Sequence, residues 1–214
     1  EPTDLLAMDA KSGRVLWQRS NTVMDIMDGA ERAKAEDEVK AAALLRSELD
    51  RRKTELYAMK RRLRGRSPDP DLPEAVKRLE VQLNNMRKDL DKTRRIRALP
   101  TIKWIGYSSS TAVVDDKGLY VVFGNGVLSH FDFEGERRWS RILGDPPTQM
   151  YGYQEGHAAS PIIVGDRLVV GFGKLRALNK NSGEILWEGR KFRDFGTPAH
   201  IRVHGEDLVV TAYG

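Results

Sequence analysis

Three observations in the sequence predict a mainly β protein with an α-helical insert. A cadence occurs twice in full, as Ala7-Met8-Asp9-Ala10-Lys11-Ser12-Gly13-Arg14-Val15-Leu16-Trp17 and as Ala177-Leu178-Asn179-Lys180-Asn181-Ser182-Gly183-Glu184-Ile185-Leu186-Trp187. A blurred copy lies between them, Phe131-Asp132-Phe133-Glu134-Gly135-Glu136-Arg137-Arg138-Trp139. In each, an alternating run ends in Asp or Asn, a turn centred on Gly follows, and Trp comes four residues after that Gly. That is the pattern of a repeated β-hairpin. Second, between Ala35 and Leu90 the apolar period changes from two to about 3.5, the period of packed helices. Third, after Arg97 the period of two returns in consecutive short runs.

In chain order, residues 4–9 and 14–19 form the first hairpin, with Gly13 supplying the positive φ its turn needs. Residues 22–28 are a connector. The helical seam runs Ala35, Ala42, Leu45, Leu49, Leu56, Met59, Leu63, then Leu72, Val76, Leu79, Leu83, Met86, Leu90. Gly65-Arg66-Ser67-Pro68-Asp69-Pro70-Asp71-Leu72-Pro73 separates the two halves, and its last Pro suits a helix start. The segment therefore reads as a long antiparallel helical hairpin, a coiled coil. A first helix over 30–64 reaches roughly 50 Å, so the hairpin is expected to project from the sheets. Arg52 interrupts the seam, as a register device or a snorkelling side chain.

Residues 110–115, 118–124, 127–133 and 136–141 read as four strands. Residues 159–164, 167–173, 174–179 and 184–189 read as four more, and 199–204 with 207–213 as a further pair. Pro161 and Ile201 lie 40 residues apart, and Trp139 and Trp187 lie 48 apart. Such periods, with four antiparallel strands per unit, are those of β-propeller blades. Two whole blades plus two complementary half blades make a partial propeller of about three blades, below the usual four to eight. A piece of a larger propeller is the favoured reading, and a ring closed by two copies is the other. Trp17 and Trp139 are 122 residues apart, so about 74 residues are inserted between two blades. The expected domains are 1–21, a half blade; 22–98, the inserted hairpin; and 99–214, two blades and a half.

Charge follows this division. The chain carries +5 overall. Residues 31–97 hold 20 Lys and Arg against 13 Asp and Glu, so the basic character belongs to the insert. Absence of Cys excludes a disulfide framework, a thiol nucleophile and a cysteine metal site. No apolar run approaches the roughly 20 residues of a membrane span, and no signal peptide precedes Leu5.

The sharpest candidate for binding is Lys60, Arg61, Arg62, Arg64 and Arg66 near the hairpin tip, five cations within seven residues with no carboxylate among them. Such a field suits an acidic protein face, nucleic acid or an anionic surface, or simply keeps the tip solvated. Tyr57 alone is available for stacking on bases, which makes nucleic acid the weaker choice. His200 and His204 fall on one side of an alternating strand, and His157 from a nearby loop would complete a metal set. Polar residues facing a propeller channel ordinarily bind water, so these histidines, like His130, are assigned no metal. Gly124-Asn125-Gly126 lacks the helix a phosphate loop requires and reads as a type I′ turn.

Ala7, Asp9, Ser12, Gly13 and Trp17, with Ala177, Asn179, Ser182, Gly183 and Trp187, resemble the tryptophan-docking repeat of the PQQ-like (pyrroloquinoline-quinone-type) β-propellers. The likeness covers residues 4–19 and 107–214. The middle copy departs from it, with Phe131 at the Ala position and one residue fewer before Gly135, which predicts weaker docking there. The resemblance implies that Trp17, Trp139 and Trp187 lie between blades, against turns built on Gly13, Gly135 and Gly183. The family includes quinoprotein dehydrogenases and a non-enzymatic bacterial barrel-assembly propeller lipoprotein. The Cys pair expected over a quinone is missing, and Trp104 is the one Trp left for a cofactor. The expectation is therefore a non-enzymatic, extracytoplasmic scaffold without cofactor, whose coiled-coil arm binds a protein partner. Self-association through the coiled coil or by propeller closure is also open. The rival readings are a fragment of a PQQ-dependent oxidoreductase and a coiled-coil dimerisation module.

Overall fold

The computed structural model describes residues 3–65, 69–93, 96, 107–144, 159–192 and 196–212. The chain divides into two units, residues 1–26 with 99–214, and residues 27–98.

The first unit is a series of antiparallel sheets. Strands β1 (Asp4–Met8) and β2 (Val15–Ser20) form a hairpin. Strands β3 (Val113–Val114), β4 (Leu119–Val122), β5 (Val127–Phe131) and β6 (Arg137–Ile142) form a four-stranded meander in sequence order. Strands β7 (Ile162–Val164), β8 (Arg167–Asn179) and β9 (Ile185–Phe192) form the next sheet, and β10 (Ala199–Val203) pairs with β11 (Glu206–Val210). This architecture is consistent with a partial propeller.

Because side chains alternate across a strand, a strand buried at every position must be covered on both faces. All five residues of β5 are buried. On one face of the meander Val121, Phe123 and Phe131 pack with Leu5 of β1. On the other, Tyr120, Val122, Leu128 and Trp139 pack with Leu168, Val170, Phe172 and Leu178 of β8. Val164, Val169 and Ala177 then meet Val209 of β11. The sheets thus stack face to face in sequence order.

Several strands differ from the sequence expectation. The first strand of the meander keeps only Val113 and Val114, because the residues before it bond to the neighbouring sheet. Ser110 Oγ donates to the Ala159 carbonyl at 2.9 Å, and Ser160 Oγ accepts from the Thr111 amide at 2.8 Å. The runs 167–173 and 174–179 are one continuous element of 13 residues, β8. A straight strand of that length would span roughly 40 Å. Yet the Lys180 amide, just past its end, donates to the Asp166 carbonyl, just before its start, at 3.1 Å. The chain therefore doubles back near Gly173 and supplies the two inner strands of its sheet, between β7 and β9.

Two turns also differ. A type I′ turn needs positive φ at both central residues. At 124–126 only Gly126 has one, +84°, and its amide bonds the Phe123 carbonyl at 2.9 Å, so the loop is the three-residue form of a turn followed by a left-handed glycine. The type I′ pattern occurs instead at His204 and Gly205, with φ of +51° and +86°. Strand β10 accordingly ends at Val203, and His204 is a turn residue, not a strand residue.

The second unit is a pair of helices, α1 (Gly29–Leu63) and α2 (Leu72–Lys92). Asp28 caps α1 by accepting from the Glu31 amide at 2.8 Å, the first half of a capping box. Pro73 lies in the first turn of α2, where its missing N–H costs nothing. Ala42 and Leu49 of α1 bury themselves with Leu79, Leu83 and Leu90 of α2, flanked by Leu45, Leu56, Met59 and Met86. Arg52 lies half-buried at the seam edge, donating to Glu48 at 2.7 Å and to Gln82 of the other helix at 3.1 Å. Among the described residues no helix is long and apolar enough to cross a membrane.

Leu83 is the most buried seam residue, so Leu83→Ala is expected to cost about 2–5 kcal/mol in the helical unit. Urea unfolding followed by helical circular dichroism reads this loss.

Candidate functional site

The blade contacts centre on the Gly turns. In the first copy Asp9 Oδ1 accepts from the amides of Lys11 and Ser12 at 3.1 and 2.7 Å, and the Gly13 amide returns to the Asp9 carbonyl at 2.8 Å. Asn179 repeats this with Asn181, Ser182 and Gly183. In the middle copy the Gly135 amide bonds the Asp132 carbonyl, which closes a turn one residue shorter. Counting back from Gly135 therefore misplaces the Ala position. Opposite Trp17 and Trp187 stand Ala7 and Ala177, but opposite Trp139 stands His130, while Phe131 faces Arg137.

Each of two tryptophans docks on the turn of the following copy. Trp17 Nε1 donates to the Phe133 carbonyl at 2.8 Å, and Trp139 Nε1 donates to the Lys180 carbonyl at 2.9 Å. The rings lie flat against glycine. A Cβ on Gly135 would stand 2.8 Å from Trp17 Cδ2, and one on Gly183 would stand 2.5 Å from Trp139 Cε3, closer than real Cβ contacts come. With φ of +82° and +68°, both turns need glycine twice over, for backbone and for space. The shortened middle turn accepts a hydrogen bond from Trp17 of about the length its neighbour accepts from Trp139, while its glycine stands somewhat farther from the ring.

Arginines escaped the sequence reading. Arg19 Nε donates to the Gly135 carbonyl at 2.8 Å, and Arg141 Nε donates to the Gly183 carbonyl at 2.9 Å. Each stands two residues after its Trp, so the signal is the shared Trp17-Gln18-Arg19 and Trp139-Ser140-Arg141, visible only on aligning the copies. At the third copy Gly189 holds that position. There Trp187 is 39% exposed, against 9% for Trp139, and its indole N–H has no hydrogen-bond partner among the described residues. Gly13, correspondingly, has open space where a Cβ would stand.

The interface between the second and third sheets is further tied by Lys180, which donates to Asp115 at 2.7 Å. Burial pushes the Asp115 carboxyl up, but the hydrogen bond from Lys180 and its neighbours outweigh that and hold it below the usual range. His130, 5% exposed, stacks on Tyr120 with ring centroids 4.3 Å apart. Burial lowers its pKa from the ordinary 6.5, only partly offset by the Lys117 backbone and Asp115. Asn21, also missed, is fully buried at the root of the insert. It accepts from Ser129 at 2.6 Å and donates to the Val127 carbonyl at 3.2 Å, while Arg137 donates to the Ser20 and Asp25 carbonyls.

Of the tip cations, Lys60 pairs with Glu80 at 2.6 Å. Arg61, Arg62 and Arg64 are exposed, with no side-chain hydrogen bond or ion pair among the described residues. Arg66, His157 and Trp104 lie outside the described residues. His200 contacts Asp207 at 2.9 Å, and no group of three or more metal-binding side chains occurs among the described residues.

Residues 104–203 match the family model described as outer membrane protein assembly factor BamB. The matched segment is thus PQQ-like in sequence. Among solved structures the chain is similar to BamB from Moraxella catarrhalis, at 23% identity and a TM-score of 0.34, over 42% of this chain and 27% of that one. The chain thus spans about a quarter of the length of that structure. No curated protein matches it.

Two outcomes follow for the PQQ-like blades. Trp139→Ala is expected to destabilise them by about 3–5 kcal/mol, while Trp187→Ala costs this chain far less. Denaturant midpoints compare the two, and equal losses would contradict the docking geometry. Because His130 is held neutral, its share of stability is full above pH 6.5 and is lost as pH falls below it. His130→Phe is therefore expected to flatten the decline in urea midpoint between pH 7 and roughly pH 5; parallel declines in parent and variant would refute this.

Proposed function

We propose that this chain is a non-enzymatic scaffold, in which PQQ-like blades carry an antiparallel coiled-coil arm that binds a protein partner. The observation that carries the reading is the arm itself. Its two helices bury their apolar seams on one another, so its polar faces and tip are left for other molecules. Antiparallel packing is supported by the contacts from Arg52 to Gln82 and from Lys60 to Glu80, in which a later residue of α1 meets an earlier residue of α2. Unpaired Arg61, Arg62 and Arg64 give the tip a positive field for an acidic partner. The BamB family model supports a propeller that works by assembly rather than by turnover, and an extracytoplasmic setting. As proposed domains, 1–21 and 99–214 build the blades and 22–98 the arm, with Trp17, Trp139 and Trp187 as docking residues.

Removing residues 30–97 and bridging the gap with a short linker is expected to leave a folded β unit that no longer captures its partner. Unchanged pull-down profiles would sink the reading. A second reading, self-association at the blade ends, draws on exposed Trp187 and the open Gly13 turn. Light scattering of the chain and of Trp187→Ala tests it: a mass above the monomer that falls in the variant supports closure, and a monomer in both excludes it.

A further inference from the structure

Most cations along the body of α1 are paired, Lys34 and Arg46 being the exceptions before Lys60. Along the body of the helix, ion pairs within the arm hold Arg32 to Glu36, Lys40 to Asp37, Arg51 and Arg52 to Glu48, and Lys53 to Asp50. Lys60 is held by Glu80 of α2. Past Lys60 this pairing stops, and Arg61, Arg62 and Arg64 have no acidic partner among the described residues. Tyr57, one turn earlier, is 83% exposed and is the most exposed large apolar side chain of the described structure.

Tyr57 and Arg61, four residues apart, lie on one face of α1, and Arg64, the capping residue just past its end, continues that face three residues on, over roughly 10 Å. Arg62 falls roughly 140° round the helix from Tyr57. The unpaired surface is therefore a stripe, an aromatic ring followed by two guanidinium groups, and not a uniform basic cap. We propose that this stripe docks an acidic amphipathic helix of a protein partner. The inference rests on the scaffold reading and names the partner's chemistry. Carboxylates three or four residues apart on such a helix repeat the spacing of Arg61 and Arg64, and guanidinium groups take carboxylates in bidentate fashion. Tyr57 supplies a flat apolar seat of the kind that anchors interfaces. Single-stranded nucleic acid would call for several aromatics on which successive bases stack, and the stripe has one. An interfacial membrane helix would need a broad apolar face beside its cations, and Tyr57 stands without one.

The test is fluorescence anisotropy of the full chain with a fluorescein-labelled helical peptide carrying Glu at positions i, i+4 and i+7 and Leu between them. An oligothymidine and phosphatidylglycerol vesicles serve as rival probes. The peptide is expected to bind, and Arg61→Glu with Arg64→Glu to weaken binding by about tenfold or more. Tyr57→Ala should weaken it too, whereas Lys34→Glu with Arg78→Glu, which changes net charge equally, should leave it within about twofold. Binding of the oligonucleotide or vesicles without the peptide would overturn the proposal, as would equal weakening by the two charge reversals. If deleting the arm removes a partner but the peptide does not bind, this assignment alone fails. If the peptide binds but deleting the arm removes no partner, the scaffold reading fails.

Discussion

The blades depend on one contact made twice, an indole laid on the backbone of a left-handed glycine in the next turn. Trp17 on Gly135 and Trp139 on Gly183 each combine a buried ring face, a hydrogen bond from Nε1 to a turn carbonyl, and an arginine Nε that closes on the glycine carbonyl. A small sheet covered on one face cannot hold a core alone. The clasp solves this by fixing each sheet at the distance where its alternating side chains meet those of its neighbour. Tyr120, Val122 and Leu128 then reach Leu168, Val170 and Leu178. The middle sheet is both acceptor of this contact, at Gly135, and donor of it, through Trp139, which is the logic of a repeat.

The helical unit obeys different physics. Its seam is continuous and satisfied between α1 and α2, and its charges pair locally along most of α1. Surface ion pairs of this sort contribute little to stability. Their effect is to neutralise much of the body of the helix as a charged surface, whereas beyond Lys60 three cations in close succession, Arg61, Arg62 and Arg64, stand without an acidic partner among the described residues. The buried Asn21 and the Arg137 contacts at Ser20 and Asp25 fix the chain where it leaves the blades. Burying the Asn21 amide costs the sheet little, because its oxygen and its nitrogen each regain a partner.

Much of this was legible in the sequence because periodicity reports burial directly. The seam from Ala35 to Leu90 and the apolar run Leu119–Val122 needed no partner to be read. What escaped depends on long-range neighbours. That Trp139 would land on Gly183 is written in neither copy alone, and Arg141 becomes meaningful only beside Arg19. His130 hid because the position opposite the Trp lies two residues before the turn Asp or Asn, as Ala7 does before Asp9, whereas Phe131 stands only one residue before Asp132. Turn chemistry misled twice for one reason: Gly124-Asn125-Gly126 has the composition of a type I′ turn, while His204, which adopts one, has not. Among the tip cations, composition suggested one cluster, and the structure separates paired Lys60 from free Arg61 and Arg64.

The central claim is that indole and glycine are one interaction and not two independent features of a repeat. A double-mutant cycle of Trp139→Ala and Gly183→Ala, read by denaturant midpoints, tests it most directly. With Trp139 present, Gly183→Ala forces a methyl group into the ring as well as straining a backbone at φ +68°. With Trp139 removed only the backbone strain of about 1–3 kcal/mol remains. The account predicts that Gly183→Ala costs clearly less in the Trp139→Ala background. Additive losses would contradict it.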